Sequence, residues 1–465
     1  MLASKFFYKC LLISVCSFVF LGLFIDLPPL MAPDSNTYLN GDIRRTIGYP
    51  AFLIIVSWFN SDFALLPYIQ GFVYAASSSF LVYNFSRFIK NRLVCYFFII
   101  CLTMNPIVWI YNAQMLAESL FMSLSMICLG LIISIIFAKK TYIQLSLLGV
   151  IIALLVLVRP VGYAYFSVIL FILFFIDSNK IFAFFRILIP IIFILGAASF
   201  KNYLSDGVFA TQVFGGYNLL GQVVPIMTQS TLEDKNSKIQ DEISKSVANL
   251  TKQLPDDLFS WREHFFLTAF SYNKGLGDYA TPIIFDVYNM KNANQTEKMK
   301  LINNIGWDIS LNSILSNPKG YSLHVFSNFL GLWYLPTVTS RDELLELKHY
   351  LCSDIFSGFF SVQDCNGILG GVKIPKAAVY LKNLIFSSLF FSSILLFFLF
   401  IVKLSSIEKI YALGLFPALM INSHHFLVSL LEAGLSRYAL STWPLIVSLS
   451  FFIYIFVNKK ILNQN

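Results

Sequence analysis

Charge is what this sequence has least of. Of its 465 residues only 12% are Asp, Glu, Lys or Arg, whereas 57% are hydrophobic, and the mean hydropathy is +0.71. A soluble domain carries about twice that charged fraction, which excludes a freely soluble globular protein. Cysteine and histidine are also scarce, at seven and five, and nowhere show the spacing of a zinc site. There is no glycine-rich phosphate loop and no basic stripe with interleaved aromatics. The net charge of +8 sits in short tracts at the ends of apolar runs, which is how membrane topology is set. Nucleic acid is therefore excluded as a partner, and the lipid bilayer takes its place.

What the chain does have is a series of apolar runs, several longer than the ~20 residues that cross a hydrocarbon core. Lys5 and Lys9 precede the first, which ends near Ile25 and is followed by Asp26-Leu27-Pro28 instead of a small-residue cleavage site. It reads as a retained helix, not a cleaved leader. Residues 49–59 form a short apolar stretch that lies in the interface or half-inserts. Further runs lead to Arg87, Asn105-Pro106, Lys139-Lys140, Arg159-Pro160, Asp177 and Tyr203, and after a long polar region three more cover 377–402, 410–426 and 438–457. Alternating about ten spans places Lys5, Lys9, Arg87, Lys90, Arg92, Lys139, Lys140, Lys180, Arg186, Lys403, Lys409, Lys459 and Lys460 on one side, in agreement with the positive-inside rule.

The predicted fold is an all-α polytopic membrane protein of about ten transmembrane helices. Residues 1–203 form an N-terminal transmembrane module whose first external loop is 26–62. Residues 204–375 form a mainly helical external region, and 376–465 the closing helices, with both termini cytoplasmic. Within the external region, 321–335 is apolar but contains His324 and Asn328. A crossing there would move Lys459 and Lys460 outside, so it is predicted as an interfacial helix. Cys352 and Cys365 lie close together on the oxidising side, a candidate structural disulfide, with two free thiols as the alternative.

The stretch 34–50, DSNTYLNGDIRRTIGYP, is a polar island between apolar runs. Asp34 reads either as an ordinary helix cap or as a reactive carboxylate. Tyr38 lies one helical turn on, sharing its face, and Arg44 and Arg45 follow. A carboxylate near guanidinium groups suits general-base chemistry beside an anionic leaving group. Asp42 is a second candidate base. Arg45, Arg159 and Arg437, at external ends of spans, are candidate phosphate ligands, with snorkelling as the alternative. Glu118, just inside the fourth span, either pairs with an arginine or binds a divalent ion. His424 and His425 stand near the end of the ninth span with Glu432 close by, and adjacent helical positions point apart, so one at most serves a site.

The pattern Asp34-x3-Tyr38, Arg45-x2-Gly48-Tyr49-Pro50 and then an apolar run resembles the first external loop of the GT-C superfamily of integral-membrane glycosyltransferases. The bacterial aminoarabinose transferase and protein mannosyltransferase branch is the nearest in pattern. Ala117-Glu118-Ser119-Leu120-Phe121 is similar to the family's second acidic motif, Arg159-Pro160 tops the fifth span, and Ser436-Arg437-Tyr438 precedes the last helix. The first loop departs in having Asn-Thr before Tyr38, where aminoarabinose-type enzymes commonly carry further charges.

The resemblance implies inverting transfer of a sugar from a polyprenyl-phosphate donor to an envelope acceptor: lipid A, an O-antigen or other glycan, or a protein. It places the reaction on the periplasmic face of a bacterial inner membrane. Asp34 would be the base and Arg45, Arg159 and Arg437 the phosphate ligands. Tyr38, Glu118, Tyr438 and His424 would support them. A divalent metal is the one cofactor it allows, with Glu118 as candidate ligand. The alternative expectations are an O-antigen polymerase or ligase, whose essential residues would fall in the late loop at positions such as His264 and Arg341, and, more distantly, a lipid or solute transporter.

Overall fold

The structure is a computed structural model that describes residues 2–24, 29–32, 34–89, 91–137, 142–176, 179–230, 235–251, 260, 265, 275–334, 376–402, 409–432 and 436–457. Lys90, Lys139, Lys140, Asp177, His264, Arg341, Cys352, Cys365, Lys403, Lys459 and Lys460 lie outside the described residues, as does the side chain of Arg437. The candidate Cys352–Cys365 disulfide therefore falls outside them as well.

The described residues are helical, joined by turns and one isolated bridge between Leu30 and Gln114. The first part contains α1 (Leu2–Phe24), α2 (Ser35–Leu39), α3 (Gly48–Phe59), α4 (Leu66–Phe85), α5 (Arg92–Thr103), α6 (Pro106–Ala113), α7 (Glu118–Phe137) and α8 (Tyr142–Val158). A 3-10 turn at Pro160–Tyr165 leads into α9 (Phe166–Ile172), and α10 (Lys180–Asp206) follows. Then come α11 (Gly215–Val223), α12 (Lys235–Thr251), α13 (Thr281–Val287), α14 (Gln295–Ser316) and α15 (Pro318–Tyr334). The chain closes with α16 (Lys376–Val402), α17 (Ala412–Leu431), α18 (Ser436–Leu440) and α19 (Trp443–Val457).

Local sequence sets the ends of these helices. The Asn91 side chain accepts from Leu93 N at the start of α5, and Asn179 does the same for Phe182 N at α10. Gly207 ends α10 with φ +70°, the left-handed position that glycine fills without strain. Asn294 and Glu297 form a reciprocal capping box at α14.

Among the described residues four helices are long and apolar enough to cross a membrane: Glu118–Phe137, Lys180–Asp206, Leu384–Val402 and Lys409–Leu431. Apolar but shorter are Gly48–Phe59, Arg92–Thr103, Tyr142–Val158, Pro160–Ile172 and Trp443–Val457. The second expected span, α4, is not among the four, because an inward face bearing Gln70, Ser77, Ser78, Ser79 and Asn84 lowers its hydropathy. Those small polar residues let helices approach closely: Ser14 Oγ lies 3.3 Å from Ser78 Oγ and 3.1 Å from Ser79 Oγ. The core helix is α7, almost wholly buried among α4, α8, α17 and α19. By contrast α10 touches chiefly α8 and turns Phe185, Ile189, Ile192 and Phe193 outward.

Residues 204–334 build a second, smaller core from Leu220, Val223, Ile239, Ile243, Ile284, Ile302, Ile305 and Ile309. It rests on the C-terminal end of α17. Gln222 Nε2 donates to Ser429 O at 2.6 Å, and Tyr321 Oη donates to Leu430 O at 2.7 Å. Helix α15 covers most of the expected interfacial stretch and runs along α17. Its Tyr321 end meets Leu430, and at its other end Trp333 Nε1 donates to Asn422 Oδ1 at 3.1 Å. Eight residues of α17 separate those contacts, about 12 Å at 1.5 Å per residue. His324 and Asn328 are both buried in it, with His324 Nε2 3.2 Å from Asn328 Nδ2.

Candidate active site

The loop after α1 is stitched to the turn before α7. Leu30 N donates to Ala113 O and Met115 N to Leu30 O, each at 2.9 Å. Ser35 Oγ donates to Met115 O at 2.9 Å and accepts from Ala32 N at 2.8 Å. Gln70 Nε2 in turn donates to Asn112 O and Gln114 O, both at 2.9 Å. These bonds set Asp34 beside the start of α7, where Glu118 begins the helix.

Asp34 occupies the cap position of α2, yet its side chain makes no capping bond. Instead Oδ1 lies 2.5 Å from Arg45 Nη2. Arg45 Nε donates to Thr37 Oγ1 at 2.8 Å, and Thr37 Oγ1 donates to Asp34 O at 2.6 Å, closing a three-residue ring. The guanidinium also stacks over Tyr38, 4.8 Å from its ring centroid, and Tyr38 meets Tyr49 edge-on at 5.0 Å. The order Asp-x2-Thr-Tyr-x6-Arg thus folds one turn of helix back onto its own arginine.

Asp42 is committed elsewhere. Its carboxylate accepts from Arg44 Nε at 2.9 Å, Nη2 at 2.6 Å and the Arg44 backbone N at 2.9 Å. Burial opposes its charge, but these bonds outweigh burial and hold the carboxyl below its ordinary value.

Gly48 brings this loop against the end of α8. A Cβ at that position would fall 2.5 Å from Leu157 O, so only glycine permits the approach. Two residues on is Arg159, 7% exposed, with Nη1 3.3 Å from Oε1 of Glu118, 3% exposed. The Arg159 guanidinium stacks 4.7 Å from the Tyr438 ring centroid and 6.0 Å from that of Phe121. A buried arginine so far from bulk water is retained at a cost and points to a function.

These groups surround one cavity of about 200 Å³. Of the expected residues, Asp34, Tyr38, Arg45, Glu118, Arg159 and Tyr438 line it. Arg437 lies at the start of α18, one residue from Tyr438, and its side chain is outside the described residues. His424 is not on the wall: it is buried behind Phe121, 5.6 Å between ring centroids, and its Nε2 lies 3.2 Å from Ser441 Oγ. Asp42 does not line the cavity either.

Sequence reading missed the roof. Gln212, Phe214, Tyr217 and Asn218 cover the cavity from α11 and the turn before it, and Asn218 Nδ2 donates to Glu432 Oε1 at 2.7 Å. The available signal was Gly215-Gly216 ahead of a Tyr-Asn pair: a Cβ on Gly216 would fall 1.9 Å from Asn303 O, so glycine fixes how α11 seats on α14.

Burial raises the Tyr38 phenol above its ordinary value; Arg45 pulls it down, Glu118 pushes it up, Arg159 pulls it down and Asp34 pushes it up. Tyr38 is thus a neutral hydroxyl amid four charges. The cavity joins two carboxylate–guanidinium pairs, Asp34–Arg45 and Glu118–Arg159. A divalent ion fits this set poorly. Among the described residues no three Asp, Glu, His or Cys side chains gather as a ligand set, and Asp34 and Glu118 each face a guanidinium that repels a cation.

Comparison with protein-family models, with curated proteins and with solved structures finds no match to this chain.

Proposed function

We propose that this chain is an inverting glycosyltransferase of the inner membrane that takes a sugar from a polyprenyl-phosphate donor and gives it to an envelope acceptor. The observation that carries this reading is the cavity itself. Asp34 and Arg45 from the first loop, Glu118 and Arg159 from the fourth and fifth apolar runs, and Tyr438 from the last meet there across some four hundred residues of sequence. They are the residues on which the GT-C resemblance rests.

In the proposed reaction the acceptor hydroxyl or amine loses its proton to the Asp34 carboxylate as it attacks the anomeric carbon. Arg45 holds Oδ1 and so orients the carboxylate. The anomeric C–O bond to phosphate breaks, its electron pair leaves with the polyprenyl phosphate, and the phosphate gains one negative charge. Arg45 and Arg159 stand where that charge develops, and donors aimed at a developing charge in a water-poor cavity are worth more than in water. The direct displacement inverts the anomeric centre. Tyr38 and Tyr438 support the two guanidinium groups from their ring faces, and no step is routed through a metal.

In this reading the bundle crosses the bilayer about ten times, with the shorter apolar helices completing the four long spans. The cavity opens at the periplasmic end and both termini are cytoplasmic. Nucleotide sugars are confined to the cytoplasm, so a periplasmic transferase requires a lipid-linked donor, and no nucleotide-binding fold is needed.

The test is transfer of radiolabel from a set of synthetic polyprenyl-phosphate sugars into envelope lipid, glycan and protein fractions by membranes carrying the full chain. Wild type should label one fraction and Asp34→Asn none. Equal labelling by the two would overturn the role of Asp34.

A further inference from the structure

We propose that α14 is a surface-lying membrane helix whose outward stripe of Trp307, Leu311 and Leu315 rests in the headgroup layer of the same bilayer that the bundle spans. Its two ends supply the first argument. The Lys300 ammonium donates to Asp206 O, the last residue of the apolar helix Lys180–Asp206. At the other end Asn317 Nδ2 donates to Ile226 O at 3.0 Å, and one turn later Tyr321 Oη reaches Leu430, next to the end of Lys409–Leu431. The helix therefore stretches between the same-side ends of two membrane-competent helices. At 1.5 Å per residue the stretch from Lys300 to Asn317 covers about 26 Å, and Lys300 on one side and Tyr321 of α15 on the other reach the ends of the two apolar helices.

The second argument is the contrast between its outward face and that of its neighbour. Trp307, Leu311 and Leu315 follow at four-residue spacing and are 38%, 50% and 79% exposed. Leu311 and Leu315 stand opposite the buried Ile302, Ile305 and Ile309, while the partly exposed Trp307 ring also lies against Gly215 and Gly216 of α11. Helix α12 packs in the same small core but presents Lys238, Glu242, Lys245 and Ser246 outward. On α14 the exposed Asn304 and Asp308 stand beside the apolar stripe, which gives its outward face a mixed character. The apolar exposure of α14 continues the exposed Phe200, Tyr203 and Leu204 of the last turns of α10. Tryptophan with flanking lysine, here Lys300 and Lys319, is the side-chain pairing favoured where a helix lies at a membrane–water boundary. Helix α14 also seats α11, so the roof of the cavity rides on a helix held at the bilayer surface.

The test uses the full chain in lipid nanodiscs made with ordinary phosphatidylcholine or with phosphatidylcholine brominated near the headgroup end of its acyl chains. The contribution of Trp307 is the difference between wild type and Trp307→Phe. It should lose about half its intensity in brominated discs, as expected for a side chain 5–10 Å into the boundary, and resist aqueous iodide. Leu311→Gln with Leu315→Gln should weaken that quenching. If Trp307→Phe fails to fold, Leu311→Trp in the otherwise unchanged chain reports the same face as a gain of quenchable signal. Fluorescence at these positions that is indifferent to brominated lipid and quenched by iodide overturns the proposal. The readout needs no turnover, so it stands or falls apart from the glycosyltransferase reading.

Discussion

Gly48 lies so close to Leu157 that a Cβ would sit 2.5 Å from its carbonyl oxygen. This contact carries the Asp34–Arg45 loop to the end of α8, two residues before Arg159. We expect Gly48→Ala to push the two apart at a cost of about 1–3 kcal/mol. Sugar transfer should be lost while the helix content by circular dichroism stays near wild type. Full transfer by a normally expressed Gly48→Ala protein would show that this approach is dispensable.

Asp34 and Asp42 differ in what holds them. Asp34→Asn removes the proposed base and should abolish transfer, whereas Asp42 is off the cavity wall and only orients Arg44 on it, so Asp42→Asn should leave most of the activity. Initial rates from one synthetic donor, normalised to protein in the membrane, distinguish the two. The reverse ranking would move the base to Asp42.

Acid sensitivity should trace to Asp42. Its carboxyl titrates lower in the folded chain than in the unfolded one, so it stabilises the fold above the ordinary carboxylate value near ~3.9. That contribution fades as pH falls through the depressed value. Melting curves of Asp42→Asn in detergent should run parallel to wild type near neutrality and fall less steeply below about pH 4. An unchanged slope would count against the clamp.

Glu118 and Arg159 form the most deeply buried pair in the site. Glu118→Leu alone strands the guanidinium and should cost about 3–5 kcal/mol of stability. Pairing it with Arg159→Met should return much of that stability without restoring transfer. Thermal unfolding of the two single variants and the double one measures the coupling. Additive losses would mean that the pair does not act as a unit.

Much of this arrangement was legible from short-range signals. Apolar runs broken by Arg87, Asn105-Pro106 and Arg159-Pro160 predicted helices where helices are found. The loop 34–50 announced its charge because so little charge occurs elsewhere. The roof was not legible. Asn218 and Glu432 meet across 214 positions, and no local periodicity marks such a pair. The stretch covered by α15 is placed only by the charge balance of Lys459 and Lys460, and the contact of its buried His324 with Asn328 is not legible in the sequence. In α4 polar residues that dilute the apolar run are what α1 packs against, so its hydropathy understates its burial.

The bridge between Leu30 and Gln114, and the reach of Arg159 to Tyr438, also bear on how the chain is made. Contacts separated by hundreds of residues close slowly, because the intervening chain must be ordered first. Asp34 leaves the ribosome early and waits for α7 before its loop can be stitched down. The Tyr438 side of the cavity arrives only with the final helices. A chain stopped before residue 438 would carry every described charge of the site on an unfinished wall, so the cavity is completed last in synthesis.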